Sequence, residues 1–71
     1  MAIIRSLERV DATIAPQSYT NGDYTISDLF VQLRTYKEGD ETRSEGVKQN
    51  IQISREVAVQ LRDILDEFLL R

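Results

Sequence analysis

Two stretches of alternating apolar and polar residues, Leu29–Tyr36 and Val47–Ile53, are followed at once by a long amphipathic segment. That order constrains the fold more than any other feature of the chain. Alternation with period two makes a strand whose side chains divide between two faces. Leu29, Val31 and Leu33 form one face of the first stretch, and Phe30, Gln32, Arg34 and Tyr36 form the other. In the second stretch Val47, Gln49, Ile51 and Ile53 point one way and Lys48, Asn50 and Gln52 the other. Ser54 is a good N-cap, because its hydroxyl can accept from a free N–H of a first helical turn. Glu56 suits the positive end of the helix dipole. Val57, Ala58, Leu61, Ile64, Leu65, Phe68 and Leu69 then recur at three- and four-residue spacing. They predict a helix over about residues 55–70 with an apolar arc of roughly 140°, wider than a coiled-coil seam. The expected fold is α+β: a strongly bent antiparallel sheet of three to four strands, followed by one C-terminal amphipathic helix packed on one face.

Upstream, residues 2–15 read as β. Ile3, Arg5, Leu7 and Arg9 share one face, and from Val10 the phase changes to Val10, Ala12 and Ile14. A bulge near Glu8–Val10 would reconcile the two phases. Pro16, the only proline, ends the pattern or marks an edge. Asn21-Gly22 is a hairpin signal, since both residues tolerate the positive φ of a type I′ turn. Residues 17–20 are therefore expected to pair with residues 23–26, and the strand is expected to continue to Tyr36 with a bulge or bend at Ser27-Asp28. Residues 37–46 are polar, contain two glycines and read as a mobile loop at a hairpin tip.

Seventy-one residues make one domain, 1–71. A chain this short buries a modest share of its surface. It holds no cysteine, so no disulfide reinforces it, and no histidine, the commonest general base and zinc ligand. With neither staple nor metal, a homodimer is the expected source of extra stability. The margin of the helix stripe supplies the candidate interface: Val59, Leu65, Phe68 and Leu69, with Leu70 beside them. No cofactor is expected. No apolar run approaches the roughly 20 residues that span a bilayer, and the first residues lack the pattern of a signal peptide. A cytoplasmic location without membrane contact is the expectation.

The polar outer face is where function is expected. Phe30, Gln32, Arg34 and Tyr36 lie beside Lys48, Asn50 and Gln52. Single-stranded nucleic acid is held by aromatic side chains that stack on bases and by cations that follow the phosphates. Arg5, Arg34 and Lys48 are the candidate phosphate contacts; Phe30, Tyr36 and Tyr24 are the candidate stacking groups. Against this stands the net charge of −3, because phosphate attraction needs a positive field. An outer sheet face also commonly meets water. The alternative is a structural or protein-interaction domain that binds through the helix seam and a sheet edge. Asp40-Glu41 and Asp66-Glu67 lack the alternating Asp/Asn spacing of a calcium loop, and no nucleophile–base pair is present. A catalytic or metal site is not expected.

The order of elements over residues 31–65 resembles the single-stranded-DNA-binding transcriptional coactivators of the positive-cofactor-four type. The resemblance rests on Val31-Gln32-Leu33-Arg34-Thr35-Tyr36, on the charged hairpin Lys37–Gly46, on Ile51-Gln52-Ile53, and on the helix opening Ser54-Arg55-Glu56-Val57 with Leu61-Arg62 downstream. Where that family has a lysine-rich run with a glycine, this chain has Lys48-Gln49-Asn50. The resemblance implies a curved sheet of about four strands, dimerised partly through the helix, with concave surfaces facing a single strand of DNA or RNA. It also implies a role in transcription regulation. Arg34 would then be a phosphate contact, Tyr36 a stacking group and Lys48 a basic contact near the hairpin base.

Overall fold

The computed structural model describes residues 1–71. The architecture is α+β: a four-stranded mixed sheet followed by one helix. The strands are β1 (Ala2–Ile4), β2 (Asn21–Ile26), β3 (Phe30–Tyr36) and β4 (Val47–Ser54), and the helix is α1 (Arg55–Leu69). Their order across the sheet is β1-β4-β3-β2. The meander β2–β3–β4 is antiparallel, as expected. β1 is not: it joins the outer edge of β4 in parallel, with Ala2 opposite Ile51 and Ile4 opposite Ile53.

The register explains the two faces. Ile26, Val31, Ile53 and Ile4 form one row across the sheet, and Tyr24, Leu33, Ile51 and Ala2 form the next row on the same face. Paired residues point to the same side, so this face is apolar. The opposite face carries Thr25, Gln32, Gln52 and Ile3, then Asp23, Arg34 and Asn50. The core is small and divided: Ile53 and Val57 meet on the apolar face, and Tyr36 lies on the polar one. Only Tyr36, Ile53 and Val57 are buried, with Val57 1% exposed.

α1 starts where the sequence places it. Ser54 has an extended backbone and its Oγ accepts from the Val57 N–H at 3.4 Å. The helix packs chiefly on β4. Val57, Ala58 and Leu61 are at least half-buried, whereas Ile64, Leu65, Phe68 and Leu69 are exposed. Half of the apolar stripe therefore has no sheet beneath it.

Four expectations upstream are corrected. Asn21-Gly22 is not a turn: it lies inside β2, where Asn21 pairs with Tyr36 and Gly22 with Thr35. Gly22 serves close approach, since a Cβ there would sit 3.2 Å from the Arg34 carbonyl oxygen. The chain reverses at Asp28-Leu29 instead. Ser27 N–H donates to the Phe30 carbonyl at 2.9 Å, and Ser27 Oγ accepts from Phe30 N–H at 3.2 Å. Residues 23–36 are thus two strands of a hairpin. That pairing wins because it sets Ile26 and Tyr24 beside Val31 and Leu33 on the apolar face and Asp23 opposite Arg34 on the polar one.

Residues 17–20 form no strand, and the expected strand 2–15 ends at Ile4. Residues 5–20 cross from the β1 edge to the β2 edge as an open strap without backbone–backbone hydrogen bonds. The strap is tied to α1 at two points. Leu7 N–H donates to Gln60 Oε1 at 3.3 Å, and Arg9 pairs with Glu67. A bulge does occur, between β3 and β4, where Tyr36 opposes Val47 and Thr35 opposes Gln49.

Candidate functional site

The polar sheet face and the loop Lys37–Gly46 form one hydrogen-bonded unit centred on Asp23. Cross-strand register sets Asp23 opposite Arg34. Arg34 donates from Nε to Oδ1 and from Nη2 to Oδ2, both at 2.8 Å. This two-pronged geometry matches a planar guanidinium to a carboxylate. Arg43 reaches back from the loop and donates to Oδ2 from Nε at 3.2 Å and from Nη2 at 3.1 Å. Its guanidinium also lies over the Tyr36 ring. The Arg34 hydrogen bonds, followed by those of Arg43, lower the Asp23 pKa from 3.8 to about 2 against the opposing effect of desolvation. The same bonds to Asp23 raise the pKa of Arg34.

The loop is organised rather than loose. The Asp40 carboxylate accepts from Ser44 N–H at 3.0 Å, Ser44 Oγ at 2.7 Å and Glu45 N–H at 2.9 Å. These bonds, that of Glu45 first, lower its pKa. Gly39 and Gly46 take positive φ values of 89° and 84° at the turns, and Arg43 does so at 56°. A left-handed backbone at a non-glycine residue costs energy. Here it aims the Arg43 side chain at Tyr36 and Asp23. Lys37 pairs with Glu45 at 3.1 Å across the loop base.

The sequence-derived candidates separate. Arg34 and Tyr36 sit together on the polar face, but Arg34 is engaged by Asp23, and Tyr36 is buried beneath Arg43. Phe30 is half-buried at the opposite end of that face, where Thr25, Gln32 and Gln52 form a shallow cleft with it. Gln52 Nε2 donates to Gln32 Oε1 at 3.2 Å beside it. Lys48 is elsewhere: it lines an open polar groove with Thr35, Gln49 and the strap residues Pro16, Gln17, Ser18 and Thr20. Arg5 is exposed just beyond β1, and neither it nor Lys48 joins an ion pair. Tyr24 projects from the apolar face, away from Arg34.

Sequence reasoning marks Arg43, with Lys37 and Lys48, as a cation near the hairpin, but it missed Asp23 and the engagement of Arg43 with Asp23 and Tyr36. Asp23 opposite Arg34 follows only once the β2–β3 register is known. Arg43 depends on the loop path, which local composition does not encode.

The second open surface is apolar. Tyr24, Leu33 and Ile51 are exposed, with Leu33 at 42% and Ile51 at 38%. Their row lies between the part of the sheet beneath α1, where Ala58, Ile26, Val31 and Ile53 line one cleft, and the part beside strap residues Pro16, Gln17, Ser18 and Thr20. Of the candidate interface residues on α1, Val59 is half-exposed, Leu65 is 47%, Phe68 67% and Leu69 73% exposed. Val59 lies on a different side of the helix from Leu65, Phe68 and Leu69 by its spacing.

No group of three or more acidic residues is placed to hold a metal ion. No helix is long and apolar enough to cross a membrane. Comparison of the chain with family models, with curated proteins and with solved structures finds no match.

Proposed function

We propose that this chain is a non-enzymatic interaction module that acts as a homodimer, with the apolar sheet face and the exposed α1 stripe as its contact surface. One observation carries the reading. The accessible surface is 6590 Å², whereas a compact monomer of 8.2 kDa exposes about 4,500 Å². The radius of gyration, 14.0 Å, likewise exceeds the roughly 11 Å of a compact domain of this length. The exposed apolar residues include Tyr24, Leu33 and Ile51 on the apolar sheet face and Ile64, Leu65, Phe68 and Leu69 on α1. Exposed apolar surface of this kind supports an association site.

Sedimentation velocity across a hundredfold range of protein concentration tests the proposal. A species of twice the chain mass that persists into the low micromolar range is the expected result. A monomer throughout, with cooperative unfolding, would sink it.

A second reading, single-strand binding in the manner of the coactivators named above, is favoured by one feature. The polar face lies opposite α1 and gathers Arg34, Arg43 and Tyr36 in one place. The Asp23 carboxylate already neutralises one of the two guanidinium charges there, and the ring is covered. The geometry therefore supports self-association better than phosphate binding. Fluorescence anisotropy of a labelled mixed-sequence single strand separates the readings. Phosphate binding weakens steeply with salt, whereas apolar self-association of an acidic chain does not.

A further inference from the structure

The apolar face has two uncovered parts in each copy: the sheet row Tyr24, Leu33 and Ile51, and the helix positions Ile64, Leu65 and Phe68. We infer that these are the two halves of one reciprocal contact, in which the C-terminal half of α1 from each copy lies on the Tyr24–Leu33–Ile51 row of the other. The inference rests on the homodimer proposed above and assigns its geometry.

Three pairings of two identical copies are open to such a chain. Helix against helix alone leaves both sheet rows in water. Sheet against sheet alone leaves both helix stripes in water. Helix against sheet, repeated by a twofold axis, covers all four surfaces at once. Isologous symmetry supplies the repetition without further design, because a contact of patch i with patch j implies a contact of j with i.

The dimensions agree. Three adjacent strands at about 4.8 Å spacing present a row roughly 10 Å long. Ile64 to Phe68 spans about 6 Å of helix axis, and its side chains widen that footprint to the length of the row. Each copy exposes roughly 2,000 Å² more than a compact monomer of its mass, an excess shared between the strap and the apolar surfaces, and a permanent homodimer hides about 2,000 Å² or more per pair. Each copy carries a net charge of −3, so added salt screens repulsion between copies and tightens the contact.

Engineered thiols test the geometry without background, because the chain has no cysteine. Leu33→Cys and Phe68→Cys alter exposed positions on the two surfaces. Mixed in equal amounts and oxidised mildly, the two variants are expected to give a disulfide-linked dimer containing one of each. Leu33→Cys linking to itself would mean sheet against sheet, and Phe68→Cys linking to itself would mean helix against helix. Either result overturns the inference, as does a dimer that forms no mixed disulfide. The Leu33→Cys/Phe68→Cys double variant is expected to link between chains; closure within one chain also overturns it. A second readout is the dissociation constant. Phe68→Glu is expected to raise it by about 30-fold or more, as for a central interface residue. An unchanged constant places Phe68 outside the contact. Failure of the underlying homodimer reading is separately visible, since the unaltered chain would then sediment as a monomer.

Discussion

The guanidinium of Arg43 stacks on the ring of Tyr36, its central carbon 3.6 Å from the ring centroid. Arg43 holds a φ of 56° to make this contact, and the same side chain donates to Asp23. One residue thus fastens the hairpin loop to β3 and β2 together. At this end of the polar face the Tyr36 ring, a candidate stacking group, is covered by the protein's own loop.

Substitutions at Arg43 divide these effects. Arg43→Ala loses the stacking and the ion pair but keeps the left-handed backbone, and is expected to cost about 1–2 kcal/mol. Arg43→Gly loses the same contacts but relieves the backbone, recovering about 1 kcal/mol. Urea denaturation of the two variants at one protein concentration reads the difference. Equal stabilities would show that the backbone conformation carries no cost.

The Asp23 cluster gives a pH dependence of fixed sign. Its folded-state pKa, about 2, lies below the ordinary 3.8. The stabilisation is therefore complete above about pH 4 and is lost as pH falls through about 2. Asp40 is shifted in the same sense, so Asp23→Asn is needed to separate the two. NMR of the Tyr36 ring should show Arg43 leaving it in that acid window, and the transition should vanish in Asp23→Asn, where the ring is uncovered at every pH.

Helix α1 depends on two small groups at its start. Val57→Ala removes methyls from the most buried side chain and is expected to cost about 2 kcal/mol. Ser54→Ala removes the cap to Val57 N–H and is expected to cost about 1 kcal/mol. Leu70→Ala, at a position 87% exposed, serves as the reference and should stay within about 0.5 kcal/mol. Thermal unfolding at matched concentration ranks the three. A cost at Leu70 equal to that at Val57 would mean that association, not the single-chain core, sets stability.

Asp23 also makes the nucleic-acid reading testable in one step. Asp23→Asn releases Arg34 and Arg43 from their carboxylate while leaving both cations in place. If the polar face binds single strands, affinity should rise, and the slope of log affinity against log salt should steepen by about 0.7 for each phosphate gained. Anisotropy that stays flat for both the unaltered protein and Asp23→Asn at low salt removes that reading.

The readable part of the sequence is where pattern and packing agree. Leu29–Tyr36, Val47–Ile53 and the Ser54 cap stand in the structure close to their expected bounds, because alternation, helical spacing and a capping hydroxyl each encode one local geometry. Asn21-Gly22 misleads because a turn preference of this size yields to cross-strand register: Ile26 beside Val31 and Asp23 beside Arg34 outweigh it. Val10, Ala12 and Ile14 alternate like a strand yet find no partner strand, which alternation alone does not supply. Of the candidate site residues, the sequence placed Arg34 and Tyr36 on one face but held no sign that Asp23 and Arg43 would engage them. Leu65, Phe68 and Leu69 were legible as uncovered, because a stripe that long exceeds what one small sheet can shelter.

The parallel attachment of β1 has a kinetic meaning. β2, β3, β4 and α1 follow one another along the chain, and each packs on its predecessor, so that unit closes only short loops and forms rapidly. Ala2 reaches Ile51 only after nearly the whole chain between them has been ordered, which makes β1 the last strand to dock and the first to leave. Amide protons of Ala2–Ile4 are expected to exchange with solvent well before those of Val31 and Leu33, and the meander with its helix is expected to persist while they do so.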